Sequence, residues 1–339
     1  MFDRITRQTA TTLREASDIE VDRKYLSGGE KRFLITGSSG LVGTALTSLL
    51  SSTGQSVCRL VRVPTGAAQV PGQTMASWDP EHGLLDPESV SGQDVVVHLA
   101  GANIAAGRWT PGRKREIRDS RVSGTGLLAR ALASAPSPPR VLVCASAIGF
   151  YGDRGDMLLD EGTAAGSGFL ADVGRAWEDA ARPAVEAGIR VVNLRIGIVL
   201  TPAGGALPRM LVPFRMGVGG PLGDGRQYWS WITLRDLLGA VLHAATTEEL
   251  VGPVNAVSPA PVRNAEFSAV LGRVLRRPAF VRAPACAIRL LMGEMGQELL
   301  LASARVLPTR LTGSGFEYRD PDLEDALRRL VGRGQVVRS

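Results

Sequence analysis

Three glycines stand at a spacing that can hold a phosphate group. Gly37, Gly40 and Gly43 form the pattern G-x-x-G-x-x-G within residues 32–50, RFLITGSSGLVGTALTSLL. A short apolar run precedes them and a helix-like apolar pattern follows, which is the context in which glycines bring a pyrophosphate onto a helix N-terminus. The alternative is a purely structural turn. We predict dinucleotide binding, with contacts from the whole loop: Gly37, Ser38, Ser39, Gly40, Leu41, Val42 and Gly43.

The second apolar run indicates which dinucleotide is bound. The run SVCRLVR (56–62) contains Arg59 and ends at Arg62, and it has no acidic residue. Strands that select NAD usually end in Asp or Glu, which binds the ribose hydroxyls, whereas arginine suits a 2′-phosphate. We therefore predict a preference for NADP(H) over NAD(H), with Arg62 as the main contact. A surface arginine at a strand end is the alternative.

Apolar runs and helical patterns alternate along the first two thirds of the chain. Such alternation predicts an α/β fold, a Rossmann-like doubly wound parallel sheet. The predicted strands are 32–36, 56–62, 94–100, 140–146 and 190–197, and the predicted helices are 110–134 and 167–187, the latter broken by Pro183. The third strand is expected to pass under the adenine half of the cofactor, with backbone and space supplied by Leu99, Ala100 and Gly101. His98 in that strand is expected to be a packed core residue.

The amino-acid composition changes after residue 200. Residues 201–230 are rich in Gly and Pro and are expected to resist regular structure. A strand, a helix and a further strand follow in 231–260, and the rest reads as mostly helical. We predict a Rossmann domain from 32–200 and 231–260, and a smaller substrate subdomain from 201–230 and 261–339. Residues 1–31 form an N-terminal extension, read as a helix at 11–19, a mobile leader or a linker.

Composition excludes several function classes. The chain has 339 residues, 44% of them hydrophobic, and a net charge of +6 without a basic stripe interleaved with aromatic residues, so nucleic acid is not an expected partner. No apolar run reaches the roughly 18 residues that span a bilayer, and there is no signal-peptide pattern, so no membrane partner is expected. Three scattered cysteines are read as reduced thiols of a cytoplasmic protein. Three isolated histidines offer no metal site.

These motifs resemble the extended short-chain dehydrogenase/reductase superfamily, the NAD(P)-dependent epimerase/dehydratase group. The resemblance rests on TGSSGLVG, HLAGANI, RVSGTGLLARAL, CASAIGFYG and RIGIVL. NIAAGRWTPGRKREIRDSRVSGT, GVGGPLGDGRQYWSWITLRDL and LLLASARVLPTRLTGSGFEYRDPDLEDAL are similar to an atypical epimerase-like family, formerly labelled cell-division-inhibitor-like nucleotide-sugar epimerases. The resemblance covers about residues 32–330. It implies bound NADP(H), a C-terminal substrate subdomain and cofactor contacts from Arg62, Leu99, Ala100, Glu116, Arg121 and Ile198.

The catalytic residues depart from that resemblance. Typical members use Tyr-x-x-x-Lys, in which the lysine lowers the pKa of the tyrosine, because a phenol near pKa 10 is otherwise protonated. No lysine follows Lys114, and the corresponding stretch, GFLADVGRAWE (168–178), has no tyrosine. Ser146 and Tyr151 are the remaining candidates, either as catalytic groups or in a packing or orienting role. Arg195 can replace a lysine only electrostatically, since it does not shuttle protons.

The stretch GDGRQYWSW is the candidate substrate contact. Arg226 and Gln227 can grip a polar or anionic group, and Tyr228 and Trp229 can stack on a ring. Trp231 is expected to seal the junction between the subdomains instead. The resulting hypothesis is an NADP(H)-dependent epimerase or oxidoreductase of a small, polar, nucleotide-sugar-like substrate. The rival is a non-catalytic NADP(H)-dependent sensor or interaction protein. The oligomeric state stays open.

Overall fold

A seven-stranded parallel sheet forms the centre of the protein. The structure is a computed structural model, and it describes Tyr25 and residues 29–62 and 72–332. The sheet strands are β1 (Arg32–Thr36), β2 (Ser56–Val61), β3 (Gln73–Ser77), β4 (Val95–His98), β5 (Val141–Ala147), β6 (Arg190–Ile196) and β7 (Gly252–Ala256). Their order across the sheet is β7-β6-β5-β4-β1-β2-β3. All strands are parallel, and the order in which they are added to the sheet reverses between β1 and β4. In such sheets ligands bind at the carboxyl ends of the strands, beside this switch point.

Helices cover both faces of the sheet. They are α1 (Leu41–Ser52), α2 (Pro111–Ala133), α3 (Phe169–Asp179), α4 (Arg182–Glu186), α5 (Ala206–Arg215), α6 (Leu234–Thr246), α7 (Asn264–Leu275), α8 (Ala285–Met292), α9 (Glu294–Gly296), α10 (Thr309–Gly313) and α11 (Leu323–Gly332). Short strands lie at Leu158–Leu159, Ile198–Leu200, Tyr228–Trp229, Trp231–Thr233, Val262–Arg263 and Arg305–Val306. Single turns lie at Pro87–Val90 and Ile148–Tyr151 (3₁₀) and at Gln297–Leu301 (π).

Alternate residues of each sheet strand pack against opposite helix layers. Phe33 and Ile35 of β1 belong to one buried cluster with α1 and α6. Leu34, between them, belongs to a second cluster with α2 and α4. Because both faces are covered, these strands read as continuous apolar runs. The predicted Rossmann-like fold is confirmed.

The C-terminal part has its own core. α5, α7 and α11 pack around Trp229, Trp231 and Phe267. Trp231 is completely buried, and its indole N–H donates to the carbonyl of Ala260 at 3.1 Å. The expectation that Trp231 is a packing residue is confirmed.

One sequence prediction is contradicted by the structure. The prediction that 201–230 lacks regular structure is wrong, because α5 buries Leu207, Leu211 and Phe214 on one side despite Pro213 within it. The edge strand β3 was not predicted. The predicted break within 167–187 is confirmed: α3 ends at Asp179, and Pro183 lies in the first turn of α4.

Of the N-terminal extension (1–31), the structure describes Tyr25 and residues 29–31. The ring of Tyr25 lies edge-on to His243 of α6, with the ring centroids 5.4 Å apart, and the residue is buried. At least this position of the extension therefore packs onto the Rossmann core. The predicted helix at 11–19 lies outside the described residues.

Candidate functional site

The glycine loop leaves the N-terminus of α1 open. Gly37 has a left-handed backbone (φ +65°), and a Cβ there would lie 2.7 Å from the carbonyl carbon of Leu99. A Cβ on Gly43 would lie 2.2 Å from the carbonyl oxygen of Gly37, so larger residues are excluded. Gly40 caps α1 without a side-chain hydrogen bond, and the first turn has no acidic residue. The first N–H groups of α1 therefore remain available to an anion, which is the requirement for binding a pyrophosphate.

Two arginines stand at the carboxyl end of β2, beside this loop. The Nε of Arg59 donates to the Oγ of Ser38 at 3.1 Å, so it contacts the glycine loop directly. Arg62 directly follows the strand and is exposed, and it makes no ion pair within the described part of the chain. The structure thus adds Arg59 as a support of the loop. The role of Arg62 as main contact stays a prediction.

A buried hydrogen-bond chain fixes the end of β4. The Oγ1 of Thr36 accepts the N–H groups of Leu99 and Ala100, each at 3.1 Å, so its own proton goes to Nδ1 of His98 at 2.7 Å. Nδ1 of His98 is therefore an acceptor, so the single N–H proton of the neutral ring is on Nε2, which donates to Oγ1 of Thr125 at 2.9 Å. Burial lowers the pKa of His98 to about 4, so the ring is neutral. The expected core role of His98 is confirmed.

The N–H groups of the predicted contacts Leu99 and Ala100 are therefore already used inside the protein. Contacts from these two residues to a cofactor would have to come from their carbonyl groups or side chains. Gly101, the third residue of this group, is exposed at the carboxyl end of β4. The predicted role of this turn in supplying backbone and space stays a prediction.

Arg121 lies beneath that turn in a largely buried position. Its Nη1 donates to the carbonyls of Ala102 (3.1 Å) and Ile117 (3.0 Å), and its guanidinium carbon lies 4.9 Å from the ring centroid of Trp177. A Cβ on Gly101 would come within 3.3 Å of this carbon. Burial, and then the nearby charge of Arg113, lower the pKa of Arg121 to about 10. Within the described residues no carboxylate pairs with it, whereas the exposed Glu116 pairs with Arg113.

One stripe of α3 faces the carboxyl end of β5. Leu170 packs against Gly149, where a Cβ would lie 3.0 Å from the Cβ of Leu170, and Gly174 packs against Phe150. Glu178, one turn further, accepts a hydrogen bond from Oγ of Ser146 at 2.7 Å. A Tyr-x-x-x-Lys pair on this helix needs two positions four residues apart on this stripe. The first two such positions hold a leucine and a glycine, neither of which transfers protons.

Ser146 belongs to a buried polar network that joins three neighbouring strands. Ser146, Arg195 and Asn255 stand in register on β5, β6 and β7. Nε and Nη2 of Arg195 each donate to a different oxygen of Glu178 at 2.8 Å, and the side chains of this pair are 4% and 12% exposed. Burial alone would lower the pKa of Arg195, but its contacts to Glu178 and Tyr151 outweigh this and raise it. The pair is therefore ionised and internally neutralised.

Tyr151 completes this polar network through its hydroxyl group. It is completely buried, and its hydroxyl accepts from Nη1 of Arg195 (2.9 Å) and donates toward Oδ1 of Asn255 (2.7 Å). Burial raises the pKa of Tyr151 despite the neighbouring Arg195, so the phenol is protonated at neutral pH. A buried, fully engaged hydroxyl does not reach a substrate. This geometry favours the orienting role for Tyr151 over direct proton transfer.

The predicted substrate residues separate into two groups. Gln227 and Trp229 are buried: the amide of Gln227 donates to the carbonyls of Leu222 (3.1 Å) and Leu300 (3.0 Å), and Trp229 packs on Phe267. These two side chains hold the loop together. Arg226 is exposed and Tyr228 half-buried. The ring of Tyr228 lies between two guanidinium groups, those of Arg263 at 4.7 Å and Arg305 at 4.8 Å.

The C-terminal part contacts the Rossmann domain at the N-termini of α2 and α3. Nζ of Lys114 bonds both carboxylate oxygens of Glu294 at 2.8 and 2.9 Å and lies 4.5 Å from the ring centroid of Phe169. The carboxylate of Glu298 accepts the N–H groups of Phe169 and Leu170, which caps α3. The last lysine of the chain is thus engaged at this contact and does not approach Tyr151.

Some of the residues of this site were not singled out in the sequence. Glu178 is one, although its spacing of four and eight residues from Gly174 and Leu170 marks it as the polar end of an otherwise apolar stripe. Thr36 and Asn255 carry no local signal, because their partners lie on other strands.

In the described ranges, no group of three His, Cys, Asp or Glu residues is arranged to hold a metal ion. None of the helices described is long and apolar enough to cross a bilayer.

Sheet order, open helix N-terminus and glycine loop together define a Rossmann-like, dinucleotide-binding protein. Residues 33–256 match the NAD dependent epimerase/dehydratase family, and residues 283–330 match a domain of unknown function, DUF1731. The chain therefore belongs to the NAD-dependent epimerase/dehydratase family.

Relatives extend over nearly the whole chain. An epimerase family protein of Mycobacterium tuberculosis is 43% identical over 294 residues, covering 86% of this chain and 95% of that protein. The crystal structure of the human epimerase family protein SDR39U1 (isoform 2) with NADPH superposes with a TM-score of 0.80 at 34% identity, covering 89% of this chain and 99% of that one. A nucleoside-diphosphate sugar epimerase from Corynebacterium glutamicum has a TM-score of 0.72 at 35% identity, covering 96% of this chain and 62% of that one.

Proposed function

We propose that this protein is an NADP(H)-dependent epimerase or oxidoreductase that acts on a small polar substrate of the nucleotide-sugar type. The observation that carries the proposal is the open N-terminus of α1, with two arginines and no acidic residue at the end of β2. The NADPH in the human relative supports the cofactor. The name of the Corynebacterium relative, a nucleoside-diphosphate sugar epimerase, supports the substrate class.

The cofactor would be held by charges and dipoles already in place. The N–H groups of α1 would bind the pyrophosphate, and Arg62, with Arg59 behind it, would bind the 2′-phosphate. Arg121 is a partly buried cation that no carboxylate of the described residues pairs with, and such a charge is stabilised by an anion. We therefore assign it a phosphate or ribose oxygen, with Glu116 and Ile198 as flanking contacts. The nicotinamide, when bound, would exchange a hydride with a substrate carbon.

Ser146 is also buried (3% exposed), but its hydroxyl, unlike that of Tyr151, has a single protein partner, so we assign Ser146 the contact to the substrate. Its hydroxyl proton is donated to Glu178, so its lone pairs are left to accept a hydrogen bond. A substrate hydroxyl is a suitable donor. Tyr151 would act only by holding Arg195, and through it Glu178, in place. Arg226 and Tyr228 would meet the polar end of the substrate between the Rossmann domain (32–200 and 231–260) and the substrate subdomain (201–230 and 261–339).

A specific observation favours a second candidate function, a non-catalytic NADP(H) sensor. The positions of α3 that face the end of β5 offer Leu170 and Gly174, and the phenol of Tyr151 is buried. In this reading the cofactor site persists while proton transfer is lost.

Two measurements test these functions. The first is a titration of the protein with NADPH and with NADH, in which binding is measured by fluorescence. The second is a panel of carbonyl and nucleotide-sugar substrates, screened by NADPH absorbance and by product analysis. Binding with turnover supports the enzyme, and binding without turnover supports the sensor. Absence of NADPH binding refutes both.

The variant Tyr151→Phe separates the two roles of this residue. We expect a loss of stability of about 1.5–3 kcal/mol in either role, because the buried hydrogen bonds to Arg195 and Asn255 are lost. In the orienting role NADPH binding is kept and turnover of the folded variant falls less than about tenfold, whereas turnover falls at least about a hundredfold if Tyr151 transfers a proton.

A further inference from the structure

An apolar and basic edge lies on the C-terminal part, away from the cofactor loop. Residues 216–220 and 278–282 run side by side: the N–H of Val281 donates to the carbonyl of Gly219 at 3.2 Å, and Gly217 lies beside Pro278. Three large apolar side chains protrude from these segments, Met216 (72% exposed), Val218 (51%) and Phe280 (78%). Exposed large apolar side chains grouped on neighbouring segments are typical of contact surfaces.

The same edge carries an excess of positive charge. Between Glu266 and Glu294 the sequence has five arginines and no acidic residue. Of these, Arg273 pairs with Glu324, whereas Arg276, Arg277 and Arg282 are exposed and make no ion pair within the described residues. This excess of unpaired positive charge disfavours an isologous contact with a second copy, because two such edges would bring like charges together.

A shallow open groove joins the apolar and the basic side chains. It is about 470 Å³ in volume and is lined by Ala269, Gly272, Arg273, Arg276, Arg277, Ala279 and Phe280. Arg276 ends α7 in the left-handed conformation (φ 53°), and it is the one residue other than glycine with positive φ in the described ranges. Glycine is usual at such a helix end, so a long cationic side chain is held there at a conformational cost.

We propose that this edge docks on the surface of an anionic lipid bilayer. Phe280 and Met216 would enter the boundary between headgroups and acyl chains, and the arginines around them would bind lipid phosphates. Basic residues that ring exposed apolar side chains are complementary to such a surface. The contact is peripheral, and it is compatible with the absence of a membrane-spanning helix among the described residues. It does not depend on the proposed catalytic function.

Co-sedimentation of the full chain with vesicles tests this proposal. The vesicles contain phosphatidylcholine alone or phosphatidylcholine with phosphatidylglycerol. We expect binding only to the anionic vesicles, decreasing with added salt. The double variant Arg276→Gln/Arg277→Gln should lower the partition coefficient about thirtyfold, at about fivefold for each arginine. Phe280→Ser should lower it about tenfold. Arg182→Gln/Val185→Ser on α4, similar in type and exposure, is the matched control and should bind like the parent.

Each other outcome overturns the proposal. Equal binding to neutral vesicles, or no binding to anionic ones, removes the membrane as partner. Loss in the arginine variant without loss in Phe280→Ser assigns the edge to non-specific charge attraction. If sedimentation velocity shows a dimer that Phe280→Ser dissociates, the edge contacts a second copy instead. Circular dichroism and thermal unfolding confirm that each variant is folded, as expected for exposed positions.

Discussion

Replacement of Arg62 by glutamine tests the basis of the predicted NADP(H) preference. Arg62 is exposed at the end of β2 and has no ion-pair partner among the described residues, so its charge is available to a ligand. We therefore expect the substitution to act on the affinity for the ligand. The 2′-phosphate carries close to two negative charges at neutral pH, and this group distinguishes NADPH from NADH.

The magnitude follows from Coulomb's law in water. A unit charge pair at about 4 Å contributes about 1 kcal/mol, so a guanidinium facing a dianionic phosphate contributes about 2 kcal/mol. Arg62→Gln should therefore weaken NADPH about thirtyfold and leave NADH unchanged. Since the site is exposed, the difference between parent and variant should shrink as salt is raised.

Arg59→Gln provides the contrast. Arg59 bonds Ser38 of the glycine loop, so its loss should weaken both dinucleotides, NADPH more than NADH. Arg182→Gln on α4, remote from the loop, is the control and should change neither affinity. The assay is isothermal titration or fluorescence titration with each dinucleotide at low and high salt.

Two results would refute this reasoning. If Arg62→Gln weakens NADPH and NADH equally, Arg62 supports the fold of the loop and does not read the 2′-phosphate. If it changes neither, while Arg59→Gln abolishes the difference between them, Arg59 is the main contact and the assignment of Arg62 is wrong.

Three further changes probe the loop, the buried network and the core histidine. Gly43→Ala should weaken NADPH at least tenfold and destabilise the fold by about 1–3 kcal/mol, because its Cβ has no space, whereas Gly313→Ala, with open space around it, should do neither. Glu178→Gln should lower the free energy of unfolding by about 3–5 kcal/mol, because it leaves a buried guanidinium without a counter-charge; Asp172→Asn, in an exposed pair, should cost less than about 1 kcal/mol by urea titration. The pKa of His98 is about 4 in the folded chain against 6.5 for the free side chain. The unfolded chain therefore binds more protons below about pH 6.5, and the free energy of unfolding decreases as the pH is lowered. Between pH 6.5 and pH 5 the loss is about 2 kcal/mol, and His98→Asn should remove that part of the slope in parallel urea titrations.

The conformation of the glycine loop could be predicted from the sequence because all its determinants are local. Strand, glycines and helix follow one another within residues 32–50, and Gly37 and Gly43 are each required by a contact that the structure contains. The helix α5 was missed for the opposite reason. Its prolines and glycines dominate the local pattern, while the burial of Leu207, Leu211 and Phe214 depends on a C-terminal core assembled from distant segments.

The polar network around Ser146 could not be predicted, since its members come from β5, α3, β6 and β7. Strand register brings Ser146, Arg195 and Asn255 side by side, and register is not visible in any one segment. The sequence marks Ser146 and Tyr151 as candidates but does not show that one bonds Glu178 and the other is enclosed.

The absence of a lysine after Lys114 acquires a physical meaning from this network. Arg195 is the cation closest to Tyr151, and it could in principle lower the pKa of that phenol as a lysine does. Its charge, however, is taken up by two hydrogen bonds to Glu178, and its guanidinium lies 3.5 Å from the ring centroid of Phe150, away from solvent. Burial therefore prevails, and the pKa of Tyr151 is raised. A Cβ on Gly174 of α3 would come within 3.2 Å of the Cα of Phe150, so a lysine at this position would also require Phe150 to shift. The buried phenol of Tyr151 is therefore held protonated by its surroundings, in contrast to the tyrosine of a Tyr-x-x-x-Lys pair, whose pKa the lysine lowers.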